Sequence, residues 1–247
     1  MRHYLGNSIV WKYNNFGFMI RNNCLTLRVF CLFISLFVIS VSTFASLEDR
    51  IRQAVDYHNP IVRSFAVNAI ARENAGPYNI GQICDIWEAI YGRWVYVNDP
   101  VGFFDFTPAS HTIGYYNFRG DCDDFAILVA ACIKAIGGTV RIRVEYDRSR
   151  RASHAYTLVF LGRTRKDVQG NFDYIFERYR TTETPDPEHI NVYVLRYGWR
   201  YGWYPESIWY LKDSHGIWLN LDWQAPYPGG PFWAEREKIE VIADAIF

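Results

Sequence analysis

The chain has 247 residues, of which 50% are hydrophobic and 21% charged. That balance excludes a disordered tail, a collagen-like fibre and a multi-span membrane protein. Net charge is zero overall, but residues 1–45 hold four basic residues (Arg2, Lys12, Arg21, Arg28) and no acidic one, leaving the rest at −4. A mildly acidic body argues against nucleic acid as a partner.

Arg21 and Arg28 precede an uncharged apolar run, Val29–Val41. Thr43-Phe44-Ala45 then places small residues three before and one before a cut after Ala45. This is the layout of a secretory signal over residues 1–45, releasing a domain of residues 46–247. The run is short for a membrane span of about 20 residues. A signal anchor that holds the domain outside the cytoplasm is the alternative. Met19 offers a second start with a more ordinary leader. Cys31 lies inside the apolar run and is not placed as a lipoprotein cysteine. Without the leader three cysteines remain, Cys84, Cys122 and Cys132. An odd, sparse set makes no disulfide framework and leaves at least one free thiol.

In chain order, Leu47–His58 reads as a short helix. Asn59-Pro60 is an N-cap followed by proline at the first helical position, and Ile61, Val62, Phe65, Ala66, Ala69 and Ile70 follow at helical spacing. Gly76-Pro77 breaks the chain. Asn79 caps a further helix with Ile80, Ile83, Cys84, Trp87, Ile90 and Tyr91 on one face, ended by Gly92. Trp94–Ile113 is irregular. Asp121 caps a helix that runs to Ile136, with Phe125, Val129, Cys132, Ile133 and Ile136 inward and Gly137-Gly138 as its stop. Val140, Ile142, Val144 and Tyr146 alternate with Arg141, Arg143 and Glu145, the pattern of a half-buried strand. The basic loop Arg148–Arg151 leads to a strand at Ser153–Leu161. Gly162–Gly170 reads as a turn, Asn171–Tyr179 and Asn191–Tyr197 as strands, and Gly216–Trp223 as a strand before a turn rich in proline and glycine. Helices precede strands, so the class is α+β with an antiparallel sheet.

Cys122 is the sharpest chemical feature. It opens a helix, where unpaired backbone N–H groups favour an anion and could hold an oxyanion. Asp121, Asp123 and Asp124 crowd the same turn and oppose a thiolate. A histidinium partner is therefore required. His154 is the best placed, at the first exposed position of its strand and facing a helix N-terminus. His3 goes with the leader, His58 ends a helix, His189 lies in a proline-flanked loop and His215 in a turn; His111 is a minor competitor. Asp222, near the end of an aromatic strand, is the first choice to orient the imidazole, with Asp173 as runner-up on the strand expected after His154. The three aspartates around Cys122 read as helix capping rather than a metal site, and no cofactor is expected.

The run from Gly120-Asp121-Cys122-Asp123-Asp124 to Leu128, continued by Ile136-Gly137-Gly138 and Arg141, resembles the cysteine block of the transglutaminase-like superfamily. His154-Ala155-Tyr156 is similar to that family's histidine strand and Trp218–Asp222 to its aspartate strand. The resemblance covers about Ile83 to Trp223. It implies a papain-like core of helices on an antiparallel sheet, with Cys122 as nucleophile, His154 as base and acid and Asp222 as the orienting carboxylate. The implied activity is glutamine cross-linking or deamidation, or hydrolysis of peptide and other amide bonds. The step from His154 to Asp222 is 68 residues, so an insertion of roughly Arg163 to Tyr210 separates two strands that a short hairpin joins in the compact family pattern. Trp94 or Tyr96 could donate to the oxyanion, as upstream aromatics do in that superfamily.

Tyr193–Trp233 holds 13 aromatic residues in 41 positions. Core packing is the reading preferred, with one or two rings lining a cleft. The expectation is an exported thiol enzyme, secreted or periplasmic, acting on a protein or peptide substrate or an envelope polymer. The alternatives are an inactive transglutaminase-like binding module and, more weakly, a carbohydrate-binding face.

Overall fold

The computed structural model describes residues 45–99, 106–149, 151–179, 208–233 and 239–247. The expected strand at Asn191–Tyr197 and the whole leader lie outside the described residues. Among the described residues, no helix is long and apolar enough to cross a membrane.

Capping chemistry sets the first helices. Ser46 and Asp49 form a reciprocal capping box on α1 (Leu47–Ala54), which ends earlier than the expected His58. Asn59 accepts from Ile61 N–H and Pro60 opens α2 (Pro60–Ala69). Asn79 accepts from Gln82 N–H at the start of α3 (Ile80–Tyr91), and Gly92 ends it. The stretch read as irregular contains a two-residue strand, β1 (Val95–Tyr96), and a short helix, α4 (Ala109–Gly114). β1 pairs in parallel with β2 (Arg119–Gly120), which delivers the chain into α5 (Cys122–Ala135).

α5 is the centre of the molecule. Helices α2, α3 and α4 pack on it from one side, and strands β3 (Val140–Asp147) and β4 (Ala152–Gly162) from the other. Residues on every side of it are buried, from Phe125 to Ile133 without a break. A helix enclosed in this way needs apolar or small residues all round, which is why its sequence shows no clean polar face. Thr157 Oγ1 donates to Ala126 O at 2.6 Å and ties β4 to the helix.

The sheet runs in the order β5-β6-β4-β3-β7, with β5 at Tyr210–Lys212, β6 at Ile217–Leu221 and β7 at Ile239–Ile246, and every neighbouring pair is antiparallel. The α+β class expected from the sequence is the observed one. One face carries Val140, Ile142, Ala155, Val159, Leu219 and Leu221 into the main core. The other face was expected to be polar, but it is covered: Phe232 and Trp233 pack over Tyr156, Leu158, Leu211 and Trp218. Arg141 is 2% exposed, paired with Asp213 (2.7 Å) and Asp244 (3.2 Å) and lying 4.2 Å over the Trp218 ring. β7 completes the sheet and had no counterpart in the sequence reading.

One element changes type. Arg165–Tyr179, expected as a turn and a strand, is a helix, α6. Thr164 and Asp167 bond each other reciprocally at its start (2.8 and 3.4 Å), and Val168, Phe172 and Ile175 form the buried stripe. The Thr164-x-x-Asp167 spacing and the stripe at i, i+4, i+7 are helix signals that the run of charges concealed.

Candidate active site

Cys122 is the first residue of α5, and four preceding or following residues shape its turn. Asp121 Oδ1 accepts from Asp123 N–H (3.2 Å), and Asp121 N–H donates to Asp124 Oδ2 (3.3 Å). Asp124 Oδ1 also accepts from Thr107 N–H (3.3 Å). Gly120 is buried against this box, and a Cβ there would run into the Asp124 carboxylate. Gly-Asp-Cys-Asp-Asp is thus a capping device wrapped closely round the thiol. The backbone reaches it through two consecutive left-handed residues, Asn117 (φ 48°) and Phe118 (φ 62°). This conformation costs an L-residue roughly 1–2 kcal/mol, most for a residue such as phenylalanine. Phe118 is held by packing on Phe65 and under Arg93.

The thiol is half-buried and lies close to the Ala155 amide. Burial first, and then the carboxylates of Asp121, Asp123 and Asp222, push it up to about 12, against the opposing effect of the Ala155 amide. The helix end does not produce a resting thiolate, because desolvation and three nearby carboxylates outweigh it. The same crowding holds Asp123 well above the usual carboxylate range and raises Asp124 to about 6.

His154 and Asp222 meet across β4 and the end of β6. His154 Nε2 lies 2.8 Å from Asp222 Oδ2, and the two side chains are 4% and 0% exposed. Asp222 Oδ1 accepts from Gln224 N–H (3.1 Å), so both carboxylate oxygens are engaged. With Nε2 taken by Asp222, Nδ1 is the ring nitrogen left for other work. His154 is not at an exposed position as expected: the Trp233 ring lies 5.1 Å from it and the Tyr156 ring 6.2 Å. The structure brings the His154–Asp222 pair and the Cys122 thiol to neighbouring points of β4, the thiol lying beside the amide that follows His154.

Asp173, the rival third member, sits on exposed α6 and accepts from Gln169 Nε2 at 2.9 Å. It is not on a strand beside His154. His111 is exposed on α4 against Tyr115, and His215 lies 3.7 Å from Asp213 on the surface. His3 and His189 lie outside the described residues. Cys84 and Cys132 are fully buried, as free thiols behaving as small hydrophobes.

Tyr96 pairs with Gly120 in the β1–β2 register, two residues before Cys122. Burial, then Cys122, Asp121 and Asp123, raise its hydroxyl to about 12, which marks its closeness to the thiol. Its ring stacks on Trp223 at 4.5 Å and 28°. Trp94, the other upstream aromatic, packs edge-on against Phe125. Trp94 Nε1 and Trp223 Nε1 are both buried without a hydrogen-bond partner among the described residues. Trp223 was not singled out in the sequence; its position directly after Asp222 was the available signal. The ligand atoms of Asp121, Cys122 and Asp123 lie within 4.8 Å of one another and could hold a cation, although Asp121 Oδ1 is already used in capping.

No family model and no curated protein matches the chain. Solved structures similar to it include a candidate cysteine protease from Cytophaga hutchinsonii (21% identity, 41% of this chain and 33% of that one, TM-score 0.33). Another is calcium-bound LapG of Legionella pneumophila (12% identity, 80% and 82%, TM-score 0.39). A third is a TGase (13% identity, 53% and 35%, TM-score 0.29). The chain spans about a third of the length of the first of these.

Proposed function

We propose that the domain is a transglutaminase-like thiol enzyme that attacks amide or peptide carbonyls through Cys122, His154 and Asp222. The observation that carries this reading is the buried 2.8 Å His154–Asp222 hydrogen bond, set beside a thiol at a helix N-terminus. Asp222 holds Nε2 and leaves Nδ1 to accept the thiol proton. The proton leaves as the sulfur attacks, because the thiol rests protonated. The Cys122 N–H and its neighbours at the start of α5 are donors suited to the oxyanion of the tetrahedral intermediate. Collapse expels ammonia or an amine, which takes its proton from His154, and leaves a thioester on Cys122. Water or an amine then resolves the thioester, and water is the acceptor favoured for an exported protein.

Export is part of the same proposal. Cleavage after Ala45 would make Ser46 the first residue. The Ser46 N–H already donates to Asp49 Oδ2 (3.3 Å), an acceptor suited to a new terminal ammonium. N-terminal sequencing of the mature protein should begin at Ser46; retention of the apolar run would indicate the anchor.

The functional test is ammonia release from glutamine peptides and cleavage of an unfolded protein by wild type and Cys122→Ala. The variant should be inactive and folded, and turnover equal to wild type would refute the assignment. A second reading, a binding module without turnover, is favoured by one observation: burial and the neighbouring carboxylates hold the thiol protonated, far from a resting thiolate. Absence of any covalent acyl-enzyme on Cys122 by intact mass, with amide, ester and peptide substrates alike, would select it.

A further inference from the structure

The sheet face that carries His154 also carries a buried polar strap. Cross-strand register sets Glu145 directly opposite His154 and Arg143 directly opposite Tyr156, and residues paired in this way share a face. The Tyr156 side chain does not stop at its own partner. Its hydroxyl donates to Glu145 Oε1 at 2.7 Å, on the diagonal of the two pairs. The phenol is therefore tied to the residue opposite His154, and its ring lies 6.2 Å from the imidazole at 27°. Trp233 supplies a second ring at 5.1 Å and 50°. Glu145, Tyr156 and His154 are all buried. Arg143 balances the carboxylate from 3.9 Å through Nη1 and bonds Asp244 of β7 through Nη2 at 2.7 Å. Burying Glu145 here carries a desolvation cost that an apolar residue would not.

We propose that Tyr156 and Glu145 are positioning residues for His154, beyond Asp222. A single hydrogen bond to Asp222 fixes one atom of the imidazole and leaves the ring free to pivot about that contact. The Tyr156 ring, pinned at its far end by Glu145, removes this freedom and keeps Nδ1 turned toward the thiol. Neither residue touches the reacting atoms; both act through the imidazole. Misplacement of a catalytic group by about 1 Å can cost roughly 10²-fold in rate, which is the reason for holding the ring at two points. The inference deepens the proposed amide chemistry by naming what orients its base, and it rests on His154 being that base.

Tyr156→Phe keeps the ring and removes the bond, whereas Glu145→Gln keeps an acceptor for the hydroxyl and removes only the charge. The direct readout is the His154 Nε2–H resonance of the nitrogen-15-labelled protein and its exchange with water. In Tyr156→Phe this exchange should quicken about fivefold, the factor to which one net hydrogen bond converts. For ammonia release from a glutamine peptide, kcat should fall roughly tenfold or more while KM stays within about twofold. Glu145→Gln should stay within about threefold of wild type in both measurements. If Tyr156→Phe does not fold, Tyr156→Phe combined with Glu145→Met carries the test, since it leaves no buried carboxylate without its donor. Unchanged exchange in the folded variant, or unchanged kcat in a protein that turns over, overturns the proposal. So does a Glu145→Gln variant that falls as far as Tyr156→Phe. The exchange measurement needs no substrate, so a ring that behaves as expected in a protein without amide turnover would sink the enzymatic reading alone.

Discussion

Asp222→Asn tests the arrangement most severely, because the carboxylate serves two donors in opposite directions. Oδ1 accepts from Gln224 N–H at 3.1 Å and Oδ2 faces His154 Nε2 at 2.8 Å. An asparagine has one oxygen and one NH2. If the oxygen stays on the Gln224 amide, the NH2 points at Nε2 and requires that nitrogen to accept. The ring proton then moves to Nδ1, and the imidazole can no longer take the thiol proton. The alternative orientation keeps the wild-type tautomer but sets the Gln224 N–H against an NH2 group, donor against donor, which disfavours it. In the first orientation, the one that keeps every donor satisfied, the base is lost, and kcat/KM should fall by about 10³- to 10⁴-fold, which is roughly 4–5.5 kcal/mol of transition-state stabilisation. The loss should appear in kcat. Nitrogen-15 NMR of the His154 ring supplies an independent readout: wild type carries its proton on Nε2, and the variant carries it on Nδ1. Activity within tenfold of wild type with an unchanged tautomer would refute the reasoning.

Other consequences concern the thiol, the sheet and the glycine turn. Because Cys122 is raised to about 12, its alkylation rate in the absence of substrate should climb about tenfold per pH unit from 7 to 9; a plateau near neutrality would mean a resting thiolate. Thr157→Val removes the 2.6 Å bond to Ala126 O without changing shape, and denaturant unfolding should show a loss of about 1 kcal/mol. Asp213 is lowered to about 2, chiefly by Arg141 against the opposing effect of burial. Its unfolded form binds a proton at higher pH, so its stabilisation is present above about pH 4 and drains as pH falls through about 2. Arg141→Met should shrink that acid limb, leaving the part owed to the His215 N–H and Trp218 Nε1–H bonds, and cost stability toward the lower end of about 3–5 kcal/mol, since Asp213 and Asp244 stay partly hydrated at 26% and 32% exposure. Gly229→Ala should lower the melting temperature, because Gly229 has φ +82° and a Cβ would sit 2.7 Å from Ile208 Cγ2 and 2.8 Å from Leu219 Cδ1; an unchanged melt would show that the turn relaxes freely.

The helical half was legible because its information is local. Asn59-Pro60, Asn79 and Gly92, and Asp121 with Asp124, each pair a side chain with backbone groups a few residues away, and the structure uses them in that way. Cys122 was legible for the same reason, as a residue one step inside a capped helix. The error at α6 was also local: Thr164 and Asp167 announced a helix that a charged, glycine-bearing stretch was allowed to mask.

Contacts between distant segments could not be read this way. Asp222 and Asp173 are both aspartates downstream of His154; the pairing of β6 with β4 puts Asp222 at 2.8 Å, while Asp173 falls on the exposed face of α6. The burial of His154, Tyr156 and Trp218 depends on Phe232 and Trp233 folding back over a sheet face whose alternation pointed to water. The thiol's high pKa likewise arises first from desolvation; Asp121 and Asp123 were legible beside it, whereas Asp222, a hundred residues along the chain, adds its charge only in the folded protein. Backbone capping and hydrophobic spacing act over one or two helical turns and are written in consecutive residues. Burial and electrostatic fields are sums over everything within a few ångströms in space, and they exist only once the chain has closed on itself.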